Sequence, residues 1–208
     1  MPASADGPRD AFVTGLVLAA GGSRRLGEPK QLLPYGNETL LEHTVSTARD
    51  CDFGQLIVAL GGSSDEVRRR VDLSGAETVE NRDFGEGCSS SIAAALGAVD
   101  ERAQVLVLML GDQPGVTAET VHALLAGRQD GAKLTVCRYE DGRGHPLAFD
   151  RSLFAELGQL QGDKAVWKLM DRHEDEVVEV PIAGPIPPDV DTREDYEAVL
   201  AAAGMAPA

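Results

Sequence analysis

An unbroken apolar run of strand length, VLVLML, occupies residues 105–110 and leaves few folds open to this chain. A strand with one face in water alternates apolar and polar residues, so a continuous run predicts a strand that is buried on both faces. Similar runs alternate along the chain with segments of helical period, which predicts an α/β fold with helices flanking a mainly parallel sheet. The predicted strands are Val13–Ala20, Gln55–Leu60, Ala76–Glu80, Gln104–Leu110, Lys133–Tyr139 and Glu176–Ile182, and the predicted helices lie near 39–50, 64–71, 89–100, 117–128, 150–158, 162–173 and 193–203.

The length of 208 residues and the hydrophobic content of 43% fit one globular domain, which we place at residues 12–204 after a disordered leader at residues 1–11. No apolar run approaches the ~20 residues of a membrane span, and no secretory signal is visible, so we expect a cytoplasmic protein without membrane contact. The three cysteines are scattered, which predicts free thiols. A net charge of −15 disfavours nucleic-acid binding, so any phosphate site must depend on local positive groups.

Positive groups are concentrated where the first predicted strand ends. Gly21 and Gly22 follow that strand, and Arg24, Arg25 and Lys30 come directly after them. Glycines at a strand end let backbone N–H groups close on an anion, and basic side chains neutralise phosphate charge. The segment matches neither the P-loop nor the dinucleotide-binding fingerprint. It predicts a nucleoside triphosphate site, although an ordinary strand-to-helix turn with exposed basic residues also fits the pattern.

The second strand end of interest is Asp112, which follows the VLVLML run. Ligands of open α/β sheets bind beyond the carboxyl ends of the strands, so Asp112 is expected to face the glycine turn. A carboxylate there can hold Mg²⁺ or can cap the next helix. Asp189 and Asp191, in the DVDT segment before the last predicted helix, could supply a second carboxylate, and capping of that helix is again the alternative.

Two further segments are candidates for binding. The first, NRDFGEGCSSS at residues 81–91, closes a strand and opens a helix, so its serines could hold a polar ligand or simply cap the helix. The second, GRGHP at residues 142–146, is predicted to be a tight loop in which Arg143 approaches an anionic substrate. His145 could act there as an acid or a base, or as an orienting hydrogen-bond donor.

A phosphate loop that faces a metal carboxylate suits either hydrolysis or group transfer. Hydrolysis needs a residue that activates water, and no dedicated base is visible in the sequence. Transfer needs only a second substrate whose oxygen attacks the α-phosphorus, with catalysis by positioning and charge neutralisation. The sequence therefore favours transfer.

These segments together resemble the MobA-like nucleotidyltransferases, the group that matures the molybdenum cofactor. The resemblance rests on LAAGGSRRLGEPK and GDQP, and it spans about residues 13–203. GRGHP, GDKAVWKL and DVDTREDY are together similar to the molybdenum cofactor cytidylyltransferase branch. The resemblance implies a single-domain, Rossmann-like three-layer sandwich of the nucleotide-diphospho-sugar transferase type.

The implied reaction is a Mg²⁺-dependent transfer of CMP from CTP to the terminal phosphate of the cofactor's pterin, with release of pyrophosphate. Catalysis is implied for Lys30, Asp112 and Arg25, and Mg²⁺ binding for Asp112 with Asp191 or Asp189. The implied binding residues are Leu18, Ala19 and Ala20 for the base, Gly21 and Gly22 for the triphosphate, Asn81 and Ser90 for the nucleoside, and Arg143 and His145 for the acceptor.

Ala20 favours a pyrimidine nucleotide, because guanylyltransferases of this family tend to carry glycine there and a methyl group would crowd a purine. The chain departs from its relatives where they usually read GDRGAR, since residues 162–167 read GDKAVW. That departure falls on the segment from Arg143 to Lys168, which the resemblance turns toward the acceptor. Two other functions stay open: an NAD(P)H-dependent oxidoreductase, as described for some relatives, and a non-catalytic chaperone that delivers the cofactor to a molybdoenzyme partner.

Overall fold

The computed structural model describes residues 11–206 apart from residues 24, 130 and 163, so most of the predicted leader, together with Arg24 and Asp163, lies outside the described residues. Its strands are β1 Val13–Ala19, β2 Pro34–Tyr35, β3 Glu38–Thr39, β4 Gln55–Leu60, β5 Glu77–Glu80, β6 Val105–Leu110, β7 Leu134–Tyr139, β8 Gly142–Asp150 and β9 Val177–Pro181. Its α-helices are α1 Leu40–Arg49, α2 Ser64–Arg70, α3 Cys88–Leu96, α4 Ala118–Ala126, α5 Phe154–Leu157, α6 Ala165–Arg172 and α7 Arg193–Ala202.

Seven strands form one sheet in the order β5-β4-β1-β6-β8-β7-β9, while β2 and β3 form a separate short hairpin. Strands β5, β4, β1 and β6 are parallel to one another, so their carboxyl ends share one edge. In the described part of the chain, β8 is the only strand of this seven-stranded sheet that runs antiparallel to its neighbours, β6 and β7. The predicted mainly parallel α/β sheet is confirmed.

Strand β8 corrects the prediction that residues 142–146 form a tight loop. Arg143 pairs with Arg138 in the β7–β8 ladder, and the register shifts between Val136 and Cys137. Across that shift Val136 faces Leu147 and Cys137 faces Gly144, which leaves His145 and Pro146 in a bulge. A bulge tolerates the missing N–H of proline inside a sheet. The glycines and the proline therefore indicated a loop where the chain forms a strand.

Alternate residues of the central strands enter two separate cores. From β6, Val105, Val107 and Met109 pack into the core covered by α1, α2 and α4, whereas Leu106 and Leu108 pack into the core covered by α3, α5 and α6. All five side chains are at most 1% exposed, as predicted for a strand buried on both faces. The result is the expected three-layer sandwich. None of the described helices is long and apolar enough to cross a membrane.

Candidate nucleotide and metal site

A pocket of about 500 Å³ opens at the carboxyl ends of β1 and β6. It lies where open α/β sheets place their ligands. One end of the pocket carries charged groups from the turn after β1 and from the segment before α7, and the other is formed by the segment that leads into α3. Its lining residues are Leu18, Ala19, Ala20, Gly21, Gly22, Ser23, Arg25, Lys30, Gln31, Phe84, Gly85, Gly87, Cys88, Ser91, Leu110, Gly111, Asp112, Asp189 and Asp191.

Three carboxylates meet at the charged end. Asp112, Asp189 and Asp191 each offer an oxygen, and these oxygens lie within 4.8 Å of one another. The backbone N–H of Val190 donates to the carbonyl of Asp112 at 3.1 Å, which ties the two acidic segments together. Carboxylate oxygens are the ligands that Mg²⁺ and Mn²⁺ prefer, so the donor set fits a divalent cation.

Lys30 places a positive charge inside this cluster. Its Nζ contacts the carboxylate of Asp112 and lies 2.9 Å from Oδ1 of Asp191, while Nη2 of Arg25 lies 2.6 Å from Oδ2 of Asp191. Burial disfavours the charged form of Lys30, but the attraction and hydrogen bonds of both aspartates outweigh burial and raise its pKa. The hydrogen bond from Lys30 and the charge of Arg25 lower the pKa of Asp191. Burial raises the pKa of Asp112, against the opposing charge of Lys30.

The glycine turn is held by a glutamine that the sequence reasoning missed. Gln31 is 4% exposed, and its Nε2 donates to the carbonyl oxygens of Ala19 at 2.7 Å and of Gly21 at 3.0 Å. Ser23 adopts a positive φ of 46°, and its Oγ accepts from the N–H of Lys30 at 2.8 Å. These bonds fix the path of the turn between β1 and Lys30. The sequence offered one signal for this role: Gln31 is a polar residue between Lys30 and two leucines.

A second glutamine ties Asp112 to the segment that carries the other two acids. Nε2 of Gln113 donates to the carbonyl of Pro187 at 2.7 Å, and the residue is 4% exposed. Thr192 then caps α7 through a reciprocal capping box with Asp195. Asp191 is thereby held between two fixed points. Its carboxylate accepts hydrogen bonds from Lys30 and Arg25, and its backbone N–H donates to the carboxylate of Asp195, the same group that completes the capping box.

Asn81 and Ser90 lie beside the pocket rather than in its lining. Asn81 is 3% exposed, and its Nδ2 donates to Oγ of Ser90 at 2.8 Å and of Ser91 at 2.9 Å. Its Oδ1 accepts from the N–H of Asp83, and Ser90 itself donates to backbone carbonyls of this segment. Asn81 therefore fixes the segment that leads into α3. Ser91 is the member of this group that reaches the pocket.

The structure does not bring Arg143 and His145 into the pocket lining. The guanidinium of Arg143 donates to Glu179 at 2.6 Å and to both oxygens of Glu174 at 2.6 and 2.8 Å, and these hydrogen bonds raise its pKa. The ring of His145 meets Trp167 edge-on, with centroids 5.7 Å apart, and burial lowers its pKa to about 4. At neutral pH the His145 ring is uncharged. Arg143, which the sequence analysis predicts to bind the acceptor, instead forms ion pairs with Glu174 and Glu179.

The fold and the pocket define a protein of the nucleotidyltransferase class, with a glycine turn that faces a carboxylate cluster. The profile of the MobA-like NTP transferase domain matches residues 15–177, and this chain belongs to that family.

Two curated relatives carry different activities in their names. The nicotine blue oxidoreductase of Paenarthrobacter nicotinovorans is 34% identical over 149 residues, which cover 68% of this chain and 72% of that protein. The molybdenum cofactor cytidylyltransferase of Escherichia coli strain K12 is 26% identical over 183 residues, which cover 87% of this chain and 92% of that one. The resemblance to the MobA-like family, including its cytidylyltransferase branch, is confirmed.

Solved structures share the fold over almost the whole chain. The Rv0371c homologue from Mycobacterium sp. strain JC1 is 49% identical with a TM-score of 0.85 and covers 92% of this chain and 96% of that one. Rv0371c of Mycobacterium tuberculosis H37Rv, solved in complex with manganese, is 42% identical with a TM-score of 0.80 and covers 92% and 99%. A nucleotidyl transferase from Methanothermobacter thermautotroptrophicus is 25% identical with a TM-score of 0.76, covering 90% and 95%. The manganese complex and the aspartate cluster of this chain together indicate the use of a divalent metal.

Proposed function

We propose that this chain is a Mg²⁺-dependent cytidylyltransferase that moves CMP from CTP to the terminal phosphate of the molybdenum cofactor pterin. The observation that carries the proposal is the position of Lys30, which contacts Asp112 and Asp191 directly beside the glycine turn, since a Cβ on Gly21 would lie 3.2 Å from its Cε. A triphosphate in this pocket meets the backbone N–H groups of the glycine turn and two cationic side chains, those of Arg25 and Lys30. Next to these cations it meets the carboxylates with which they pair, and those carboxylates can hold a divalent cation.

Each part of the nucleotide has a matching part of the pocket. The backbone of Leu18, Ala19 and Ala20 binds the base, Gly21, Gly22 and Arg25 hold the triphosphate, and Lys30 neutralises the departing phosphates. Asp112 with Asp191 or Asp189 holds Mg²⁺, which when bound neutralises phosphate charge. Asn81 and Ser90 act indirectly on the nucleoside, because their hydrogen bonds fix the segment that leads into α3 and lines the pocket.

The proposed transfer needs no general base. An oxygen of the acceptor's terminal phosphate is already ionised, and it forms the new bond to the α-phosphorus of CTP. The bond between that phosphorus and the oxygen bridging to the β-phosphorus breaks, and its electron pair leaves with pyrophosphate. Lys30 and Arg25 stabilise the negative charge that accumulates on the leaving group, so positioning and electrostatics supply the catalysis.

A second candidate is an oxidoreductase that uses NAD(P)H. The likeness to nicotine blue oxidoreductase favours it. Hydride transfer uses neither a metal carboxylate nor a group that stabilises pyrophosphate, whereas this pocket contains both Asp112 and Lys30. These residues are the reason for preferring the transferase. A transferase could also deliver the cofactor to a molybdoenzyme partner in the cytoplasm. A protein that acted only as such a chaperone would not need the acidic cluster.

The test is a product assay that separates the two activities. Purified protein is incubated with CTP or GTP, Mg²⁺ and molybdenum cofactor, and pyrophosphate is measured while mass spectrometry follows the pterin. We expect one pyrophosphate for each pterin that gains the mass of CMP, with CTP preferred and Asp112→Asn inactive. Asp171→Asn, which changes an exposed carboxylate on α6, is the matched control. Reduction of nicotine blue by NADPH, without pyrophosphate release from any nucleotide, would overturn the proposal.

A further inference from the structure

Phe84 is the one exposed large hydrophobic side chain in the part of the chain that the structure describes, and it lies in the pocket lining. Its relative exposure is 37%. It begins a short 3-10 helix, Phe84–Glu86, which ends at Gly87 with a positive φ of 99°. An aromatic ring that keeps this much surface in water, at the edge of a ligand pocket, has apolar area available for a ligand.

Two consecutive glycines place the ring beside the nucleotide turn. A Cβ on Gly62 would lie 2.6 Å from Cζ of Phe84, and a Cβ on Gly61 would lie 2.5 Å from the carbonyl oxygen of Ala20. The backbone of Gly61 and Gly62 is therefore in direct contact with Ala20 on one side and with the Phe84 ring on the other. Ala20 and Phe84 both line the pocket, and the double glycine, which is not in the lining, connects them; we call the surface formed by Ala20 and Phe84 the base wall.

The base wall differs in chemistry from the rest of the pocket. Leu18 and Ala19 are further apolar residues of the lining, whereas its cations and carboxylates come from Arg25, Lys30 and the acidic cluster. A nucleotide has the same two-part character, with a planar heterocycle at one end and a charged triphosphate at the other. Matching the two fixes its direction in the pocket: the base meets the base wall and the phosphates meet Lys30.

We propose that Phe84 stacks on the nucleobase of the bound nucleotide. The inference rests on the proposed function and adds a side chain that holds the base. Every base offers a π face, so stacking supplies affinity without choosing among bases. Discrimination between bases then falls to Ala20 and the neighbouring backbone, while Phe84 strengthens the binding of all of them.

The first test measures binding by calorimetry with two probes, CTP and inorganic tripolyphosphate, both with Mg²⁺. Phe84→Ala is expected to weaken CTP about 5- to 150-fold, the effect of removing one stacked aromatic ring, and to leave tripolyphosphate unchanged. Phe84→Tyr keeps the ring and is expected to bind CTP within about twofold of the wild type. Equal CTP affinity in Phe84→Ala would overturn the stacking, and so would an equal loss for both probes, because that pattern reports a structural role.

A second measurement reports contact directly. Phe84→Trp places an indole in the base wall, and its emission is compared with that of the wild type, whose one tryptophan is Trp167. We expect CTP to quench the added emission and tripolyphosphate to leave it unchanged. A wild-type protein that binds neither probe would overturn the proposed function itself. A wild type that binds both, together with added emission in Phe84→Trp that does not respond to CTP, would overturn only the stacking.

Discussion

Lys30 holds together a cluster that would otherwise repel itself. Asp112, Asp189 and Asp191 are close enough to share one cation, and the ammonium of Lys30 contacts two of them. A buried carboxylate without a partner is costly, so Lys30 stabilises the ligand-free pocket. The same ammonium would compete with a divalent metal for those oxygens, so we expect Lys30 to leave these partners when a metal binds.

Replacing Lys30 by methionine should separate these two roles. Lys30→Met is expected to bind Mn²⁺ more tightly, on the order of tenfold, because a competing charge is removed, which corresponds to about 1.4 kcal/mol. The same variant should lose transfer activity. Calorimetric titration with Mn²⁺ measures the affinity. Lys133→Met is the control, because Lys133 pairs with Glu176 instead of the acidic cluster. Unchanged or weaker Mn²⁺ binding in Lys30→Met would contradict the competition.

Ala20 is where the choice of nucleotide can be tested. Ala20 belongs to the pocket lining, and the residue is 6% exposed. Removing one methyl group from a snug pocket changes discrimination by about 10-fold or more. Ala20→Gly is expected to shift the ratio of kcat/KM for GTP over CTP toward GTP by about that factor, with UTP following CTP. An unchanged ratio would refute the steric argument.

Among the elements, the turn between β4 and α2 contributes more than its sequence suggested. Gly61 and Gly62 follow β4 and allow it to end against Ala20 and Phe84. The strand-end rule located Gly21 and Asp112 from sequence, because each comes directly after a recognisable apolar strand. It did not locate Phe84 or Gln113, since their roles depend on contacts between elements that are distant along the chain. It also did not locate Gln31, which follows the turn rather than the strand and bonds back to Ala19 and Gly21. The β8 strand was missed for a related reason: its ladder with β6 and β7 outweighs local loop signals.

A methyl group at Gly61 should disturb this turn. Its Cβ would lie within 3.0 Å of three backbone atoms of Ala20, and backbone cannot yield as a flexible side chain can. We expect Gly61→Ala to lose about 1–3 kcal/mol of unfolding free energy and to bind CTP more weakly. Gly97→Ala is the control, because Gly97 has helical dihedrals (φ −67°) and its nearest neighbouring atom would be 3.9 Å away. Urea denaturation should show the control to be as stable as the wild type or more so. Equal stability of both variants would contradict the tight contact.

His145 on β8 should make the protein sensitive to acid. Burial lowers its pKa to about 4 from 6.5, so between these values the unfolded chain binds a proton that the folded chain does not. Stability therefore falls as pH drops through this window, by about 2 kcal/mol between pH 7 and pH 5. His145→Gln should lose that share of the pH dependence in urea denaturation at the two pH values. His122→Gln, on an exposed position of α4, should keep it. The same slope in both variants would exclude His145 as its source.

On the scale of the whole molecule, a chain of net charge −15 needs local positive groups if it is to bind an anion. Composition directed attention to the short basic segment after β1, from which Arg25 and Lys30 line the pocket, and the pattern of apolar runs correctly predicted the layered fold. The acceptor side was less accessible to sequence reasoning. Arg143 was assigned to a substrate-facing loop, whereas the structure places it on a strand and pairs it with Glu174 and Glu179. These ion pairs join β8 to the segment around β9, about 30 residues further along the chain, so no local sequence pattern predicts them.

The most direct test of the central claim is the thermal unfolding of the wild type and Asp112→Asn with CTP, with and without Mg²⁺. A ligand at 100 times its Kd adds about 2.7 kcal/mol, which raises Tm by about 5–10 °C for a chain of this size. We predict this rise for the wild type only when CTP and Mg²⁺ are both present, and its loss in Asp112→Asn. A rise with NADPH alone that ignores the metal, or a CTP response that Asp112→Asn retains, would contradict the assignment of this pocket to metal-dependent nucleotidyl transfer.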